Sequence, residues 1–275
     1  MDLQRVAQPM PGDAQVPDAT HSARVFERSL VAMLDAGSGA TSVGYNLHAM
    51  RQAADQVRER LSQAMRALVE RVDTEFAAQR AGLSPDAEYA PQEALDALDE
   101  AADLLSAVTG AQTDRMVRDD GWRMLSIGRQ IERLQTLAQA MRLALETGAL
   151  QEDGGFEALL SLFDSSITFH AQYQQRRDRV ALLDTLVTNR DNPRSLGWVL
   201  STLRSRLAKL PGMEASHADL LVLLPDPDDW SLAALDGEGL PDLLLLLESA
   251  MLNLSNQLTQ RYFSHADRIN LSLVT

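Results

Sequence analysis

Within "DDGWRMLSIGRQIERLQ", residues 119–135, the charged residues Arg129, Glu132 and Arg133 lie among small and apolar neighbours. Two arginines four residues apart could grip a carboxylate or a phosphate, because each guanidinium is a planar fork of donors that stays charged. Glu132 between them could serve as a general base or orient a guanidinium. Trp122 and Arg118, just ahead, complete the candidate ligand-binding set. The same residues also fit two other readings: a buried ion network that ties helices together, or a solvated face.

Helical spacing bears on these readings. Met124, Ile127, Ile131, Leu134, Ala138, Met141 and Leu145 alternate steps of three and four, which predicts an amphipathic helix over 121–147 ended by Gly148. Advancing about 100° per residue from Met124 puts Arg129 near 140°, Trp122 near 160° and Arg133 near 180°, opposite that seam. Ser126 and Ala140 lie beside them, while Glu132 falls near 80° with Leu125 and Leu143. A tryptophan and small residues around the charges imply contact on both sides of the helix. Glu132 is then expected to be buried and to accept hydrogen bonds from an arginine outside its own turn.

The elements that must position these residues also read as helices. Val43, Leu47, Met50, Ala54, Val57 and Leu61 continue through Leu68 and Val72, predicting one helix over 42–80. Pro91 suits a first helical turn, and Leu95, Leu98, Ala102 and Leu105 form a stripe that stops at Gly110. Phe156, Leu160, Phe163, Ile167 and His170 predict a helix reaching the mid-180s, with His170 a satisfied core histidine. Asn192 reads as a cap and Pro193 as the first helical residue before the stripe Leu196, Leu200, Leu203, Leu207 and Leu210. A leucine-rich helix over 241–265 closes the chain. No stretch alternates strictly with β-branched residues, so the fold class is all-α, a helical bundle. Residues 1–20 read as linker or disordered, 21–268 as the helical domain and 269–275 as a tail.

Composition excludes several functions. A net charge of -14 argues against a nucleic-acid surface. The absence of cysteine removes disulfides, thiolate metal sites and Cys nucleophiles. The histidines show no metal-ligand spacing, and no glycine-rich phosphate loop is present, so neither a metal nor a cofactor is expected. "LPDPDDW", 224–230, reads as a loop and helix cap. The leucine runs are far short of the ~20 residues that span a membrane, and no signal peptide opens the chain, so a cytoplasmic protein is expected.

"SVGYNL" at 42–47 resembles "SLGWVL" at 195–200, an offset of 153 residues that keeps the subsequent apolar stripe in phase. This points to an internal two-copy repeat. The counterpart of the 121–147 helix would precede Met1, so the first copy is read as incomplete, through loss or because the chain is a fragment.

"MVRDDGWRMLSIGRQIERLQTLAQAMRLAL" closely resembles the second Glu-Arg segment of the alpha-E domain, a bacterial all-helical domain. "RDNPRSLGWVLSTLRSRL" resembles the Asn-Pro-x-Ser segment that comes after it, "SVGYNLHAMRQAADQVRERLS" its first-half equivalent, and "LSNQLTQRYFSH" its closing helix. The resemblance covers about residues 24–266. It implies a two-copy bundle, usually with an opening Glu-Arg helix that is absent here, and the first-half turn is degraded to "GATS". It also implies association with circularly permuted ATP-grasp ligases and transglutaminase-like proteins. The expected function is therefore an accessory or interaction domain of an ATP-grasp-linked peptide or amide-ligation system, whose Arg/Glu cluster is structural or holds an acidic peptide end. One alternative is an enzyme with Glu132 as general base and Arg129 and Arg133 as carboxylate clamp; another is a purely structural scaffold. A homo-oligomer is possible, and neither nucleic acid nor membrane is an expected partner.

Overall fold

The computed structural model describes residues 19–39, 42–82, 91–174, 176–210 and 217–263, and the described residues form helices and turns with no strand. The reading of residues 1–20 as linker lies outside them except at Ala19 and Thr20, which begin a helix instead, and the reading of 269–275 as tail lies outside them. The chain divides into two compact units, one ending at Val117 and the other beginning at Arg118.

The first unit comprises α1 (Ala19–Ala32), α2 (Val43–Gln56), α3 (Gln63–Gly82) and α4 (Pro91–Arg115). The helix expected over 42–80 is two. After Gln56 the chain tightens into a 3-10 turn, Arg58–Arg60, and Ser62 restarts the helix by accepting from the backbone N–H of Met65 at 3.2 Å. The apolar phase survives this break, so periodicity alone could not show it. Helix α4 runs through Gly110 to Arg115, because Gly110 is exposed and meets no packing conflict there. Its buried face is Ala94, Ala97, Ala101, Val108 and Ala111 rather than the leucine stripe; Leu95 is exposed. Alanines let α3 approach closely, and Met65, Val69, Val72 and Phe76 of α3 fill the core.

The second unit is built on α5 (Asp120–Glu146), against which α9 (Leu196–Leu207) and α12 (Leu240–Tyr262) both pack. Between α5 and α9 lie α6 (Asp153–Leu162), α7 (Ser166–Tyr173) and α8 (Arg179–Leu183), the last running into a π turn, Asp184–Thr188. The continuous helix expected over this stretch is therefore broken. Asp164 and Gln174 adopt positive φ, a conformation no helix interior accepts. Ile167 is consequently exposed, and His170 is a surface residue bonded to the carbonyl of Gln174 at 2.9 Å and to Glu157 at 3.3 Å, not a core histidine. Short α10 (His217–Val222) and α11 (Leu232–Ala234) lead to α12. Asp226 caps the intervening 3-10 turn by accepting from the backbone N–H of Asp228, as the acidic loop predicted.

Helices α2 and α9 begin with the same device. Ser42 accepts from the N–H of Tyr45 at 3.0 Å, and Ser195 from that of Trp198 at 3.1 Å. Two residues after each serine a glycine presses on the preceding backbone. A Cβ would meet the Leu34 carbonyl at 2.9 Å at Gly44, and that of Val187 at 2.8 Å at Gly197. The cap of α9 is thus Ser195, not Asn192. Beyond their first turns the two helices lead to different structures, α2 to the long α3 and α9 to the six-residue α10. The likeness is established for the helix starts and not for a whole repeat.

Candidate functional site

Asp119 sets the phase of the site. It accepts from the N–H of Trp122 at 2.9 Å, starting α5 so that Trp122, Arg129 and Arg133 share one stripe. Trp122 is buried and Arg129 and Arg133 are half-buried, so the side opposite the apolar seam is packed, as the spacing implied.

Glu132 departs from expectation. It is exposed and makes no hydrogen bond or ion pair with the described residues. The reason is geometric. On a helix gripped on two sides the remaining flank faces water, and Gly128 and Thr136 border that flank. The interhelical ion network exists elsewhere on α5. Arg142 donates from Nε to Glu248 of α12 at 2.7 Å and from Nη1 to Glu146 at 2.8 Å.

Arg133 has no acid beside it among the described residues. Burial, then the guanidinium of Arg194, then that of Arg129, all disfavour its charge and lower its pKa. Burial does the same to Arg129. Arginine nonetheless stays protonated in proteins, so the outcome is a charged, half-desolvated guanidinium crowded by like charge. Arg133 has no hydrogen-bond or ion-pair partner among the described residues.

Arg194 arrives there through a rigid loop. Asn189 accepts from the N–H groups of Asp191 and Asn192 at 2.8 and 2.9 Å. The buried Asn192 amide donates to Ser165 Oγ and to the Thr185 carbonyl, each at 3.0 Å, while its Oδ1 accepts from the Arg194 N–H at 3.0 Å. Asn192 is the tie of the loop. Arg194 is partly engaged, by Asp164 at 3.3 Å.

At the other end of the strip, Arg118 lies over the Trp122 ring at 4.1 Å and Arg206 of α9 at 4.6 Å. Burial, then Arg118, then Arg123, lower the pKa of Arg206, whose buried Nε has no acceptor among the described residues. Arg133 meeting Arg194 and Trp122 meeting Arg206 shows that α5 and α9 run antiparallel. The arginine strip follows their seam for about 16 Å at 1.5 Å per residue. Of the residues singled out in sequence, the structure gathers Arg118, Trp122, Arg129 and Arg133 and separates Glu132. Arg194, Arg206 and Arg123 were missed, although Arg194 occupies the variable place of the Asn-Pro-x-Ser segment.

An all-helical protein with an arginine strip on its 27-residue central helix is the class that fold and site define. The model of the Alpha-E family, described as a predicted alpha-helical domain with a conserved ER motif, matches residues 3–263, and the chain belongs to that family. Uncharacterised proteins of Mycobacterium bovis and Mycobacterium tuberculosis are each 32% identical over 111 residues. That stretch is 40% of this chain and 13% of each relative, so the chain matches only a small part of those much longer proteins. No solved structure matches it significantly. Glu-Arg pairs occur here at Glu27–Arg28, which stands on the first helix and corrects the expectation that an opening Glu-Arg helix is absent, and at Glu59–Arg60, Glu70–Arg71 and Glu132–Arg133; only in the last is the arginine half-buried. No described helix is long and apolar enough to cross a membrane.

Proposed function

We propose that the second unit is a recognition module that holds the carboxylate end of an acidic peptide on Arg133, Arg129 and Arg194. It serves an ATP-grasp ligase or transglutaminase-like partner that makes or remodels the amide bond. The observation that carries this reading is Arg133, a half-buried guanidinium whose charged neighbours are arginines. A structural ion network would have put an acid there, as Glu248 stands against Arg142. A bound carboxylate supplies the missing acceptor in a partly desolvated place, where charge-assisted bonds are strong.

The family resemblance supports the ligation partner. So does the small share of the mycobacterial relatives that the matching stretch occupies, which fits a domain working beside others. The reading of Glu132 as general base is disfavoured, because its carboxylate lies on a different flank from the arginines and in open water.

Fluorescence anisotropy with a labelled glutamate-rich hexapeptide tests the reading. The free C-terminal acid should bind, and the C-terminal amide should bind about tenfold or more weakly, the worth of one or two charge-assisted bonds. Arg133→Ala should cause a similar loss and Glu132→Ala none. Equal binding of acid and amide would remove the carboxylate assignment.

A further inference from the structure

The arginine strip between α5 and α9 has two ends, and the carboxylate reading uses only one. At the other end Arg206 is half-buried against the Trp122 ring. Its Nε is enclosed, but its two terminal nitrogens are not, and neither has an acceptor among the described residues. The nearby acids are committed elsewhere. Asp119 caps α5 through the Trp122 N–H, and Asp120 pairs with Arg123. Arg118 and Arg123 bear on Arg206 as like charges, with no acid to oppose them among the described residues. Three guanidiniums thus gather at this end, on a chain whose net charge is -14. Like charges held together disfavour one another, and an anion brought among them relieves that.

Helix register joins the two ends. Arg133 lies beside Arg194 and Trp122 beside Arg206, so the antiparallel α5 and α9 also set Thr202 opposite Ser126. Trp198, Thr202 and Arg206 recur every four residues, which keeps them along one edge of α9. Ser126 and Thr202 are half-buried, and neither hydroxyl makes a hydrogen bond with a described residue. The edge between the cationic ends therefore offers polar groups to a peptide backbone. It is about 16 Å long at 1.5 Å per helical residue. An extended peptide advances about 3.3 Å per residue, so about five residues cover that distance.

We infer that the strip measures its ligand, taking acidic peptides with the C-terminal carboxylate on Arg133 and Arg194 and a second, side-chain carboxylate about five residues earlier on Arg206. The peptide then runs parallel to α5, with its earlier residues over the Trp122 end. This inference rests on the carboxylate reading of Arg133 and narrows its substrate class. A free acidic end is not sufficient for full affinity; a second acid at a set distance is needed.

Labelled octapeptides of glycine and serine, each with a free C-terminal carboxylate and one glutamate, test the spacing by fluorescence anisotropy. All of them carry the same net charge, so only the place of the glutamate differs. Binding should be tightest with glutamate about four to six residues before the C-terminal residue, about tenfold tighter than with glutamate next to it. Arg206→Gln should remove that maximum and leave the peptide with glutamate next to the end unchanged. If Arg206→Gln does not fold, the series measured on the unaltered chain decides. A flat series, or a maximum that survives Arg206→Gln, overturns the spacing while the difference between C-terminal acid and amide still stands. Equal binding of acid and amide overturns the spacing and the carboxylate reading together.

Discussion

Glu132 and Arg133 are sequence neighbours with opposite fates, because one step of about 100° separates a wet flank from a packed seam. Glu132→Gln should therefore shift stability by no more than about 0.5 kcal/mol, as for other surface changes away from special features. A thermal melt showing a loss of several kcal/mol would contradict the exposed placement. Tyr173 is another residue whose environment decides its chemistry. Burial, and then the bond its hydroxyl donates to Asp184, raise its pKa to about 12 from the ordinary value of 10.0. The folded chain then keeps a phenolic proton that the unfolded chain releases. This contribution is fully present below pH 10 and is lost as pH rises through about 12. Absorbance titration should show a late-ionising phenol that Tyr173→Phe removes; an unchanged late step would assign it to another tyrosine.

Helix starts and breaks are where element-scale tests fall. At Gly44 and Gly197 an added Cβ would strike backbone atoms at 2.8 Å, which cannot move as a side-chain tip can. Alanine at either should cost about 1–3 kcal/mol by overpacking. Gly128 has open space within α5, so Gly128→Ala should instead stabilise by about 0.5–1 kcal/mol. Chemical denaturation of the three variants reads all three signs. If Gly44→Ala and Gly197→Ala diverge in sign, the shared device at the two helix starts is wrong. Asn192→Ala removes two donated bonds and one accepted by its side chain inside the loop that aims Arg194. At about 1 kcal/mol per bond it should cost on the order of 2–3 kcal/mol. An unchanged melt would mean that the loop is held by something else.

On the scale of the whole molecule, each unit has its own core. The first draws heavily on alanines, which bury little area each, while the second is built from leucines such as Leu196, Leu200, Leu203 and Leu244. Calorimetry should accordingly resolve two transitions. Met65→Ala and Leu200→Ala, both in buried core places, should each cost about 2–5 kcal/mol, read chiefly in the transition of its own unit. A single transition moved equally by both would show one cooperative structure instead.

Fold class was legible because local periodicity and capping chemistry are written residue by residue. The seam of α5, Gly148 at its end in the left-handed conformation, Pro91 at the start of α4 and the acidic cap at Asp226 all stand where spacing placed them. The Ser-x-Gly-aromatic likeness of the starts of α2 and α9 is legible in the same way, although spacing assigns the cap of α9 to Asn192 where the structure has Ser195. Breaks that keep the apolar phase were not legible, since the turn after Gln56 and the positive φ at Asp164 and Gln174 leave the pattern of threes and fours unchanged. The arginine strip was half legible. The stripe of Trp122, Arg129 and Arg133 follows from one helix, but Arg194 and Arg206 join it only because α9 lies antiparallel on α5. Which side of α5 stays wet depends on two helices far away in sequence, and so only tertiary structure could place Glu132 in water and leave Arg133 without an acid among the described residues.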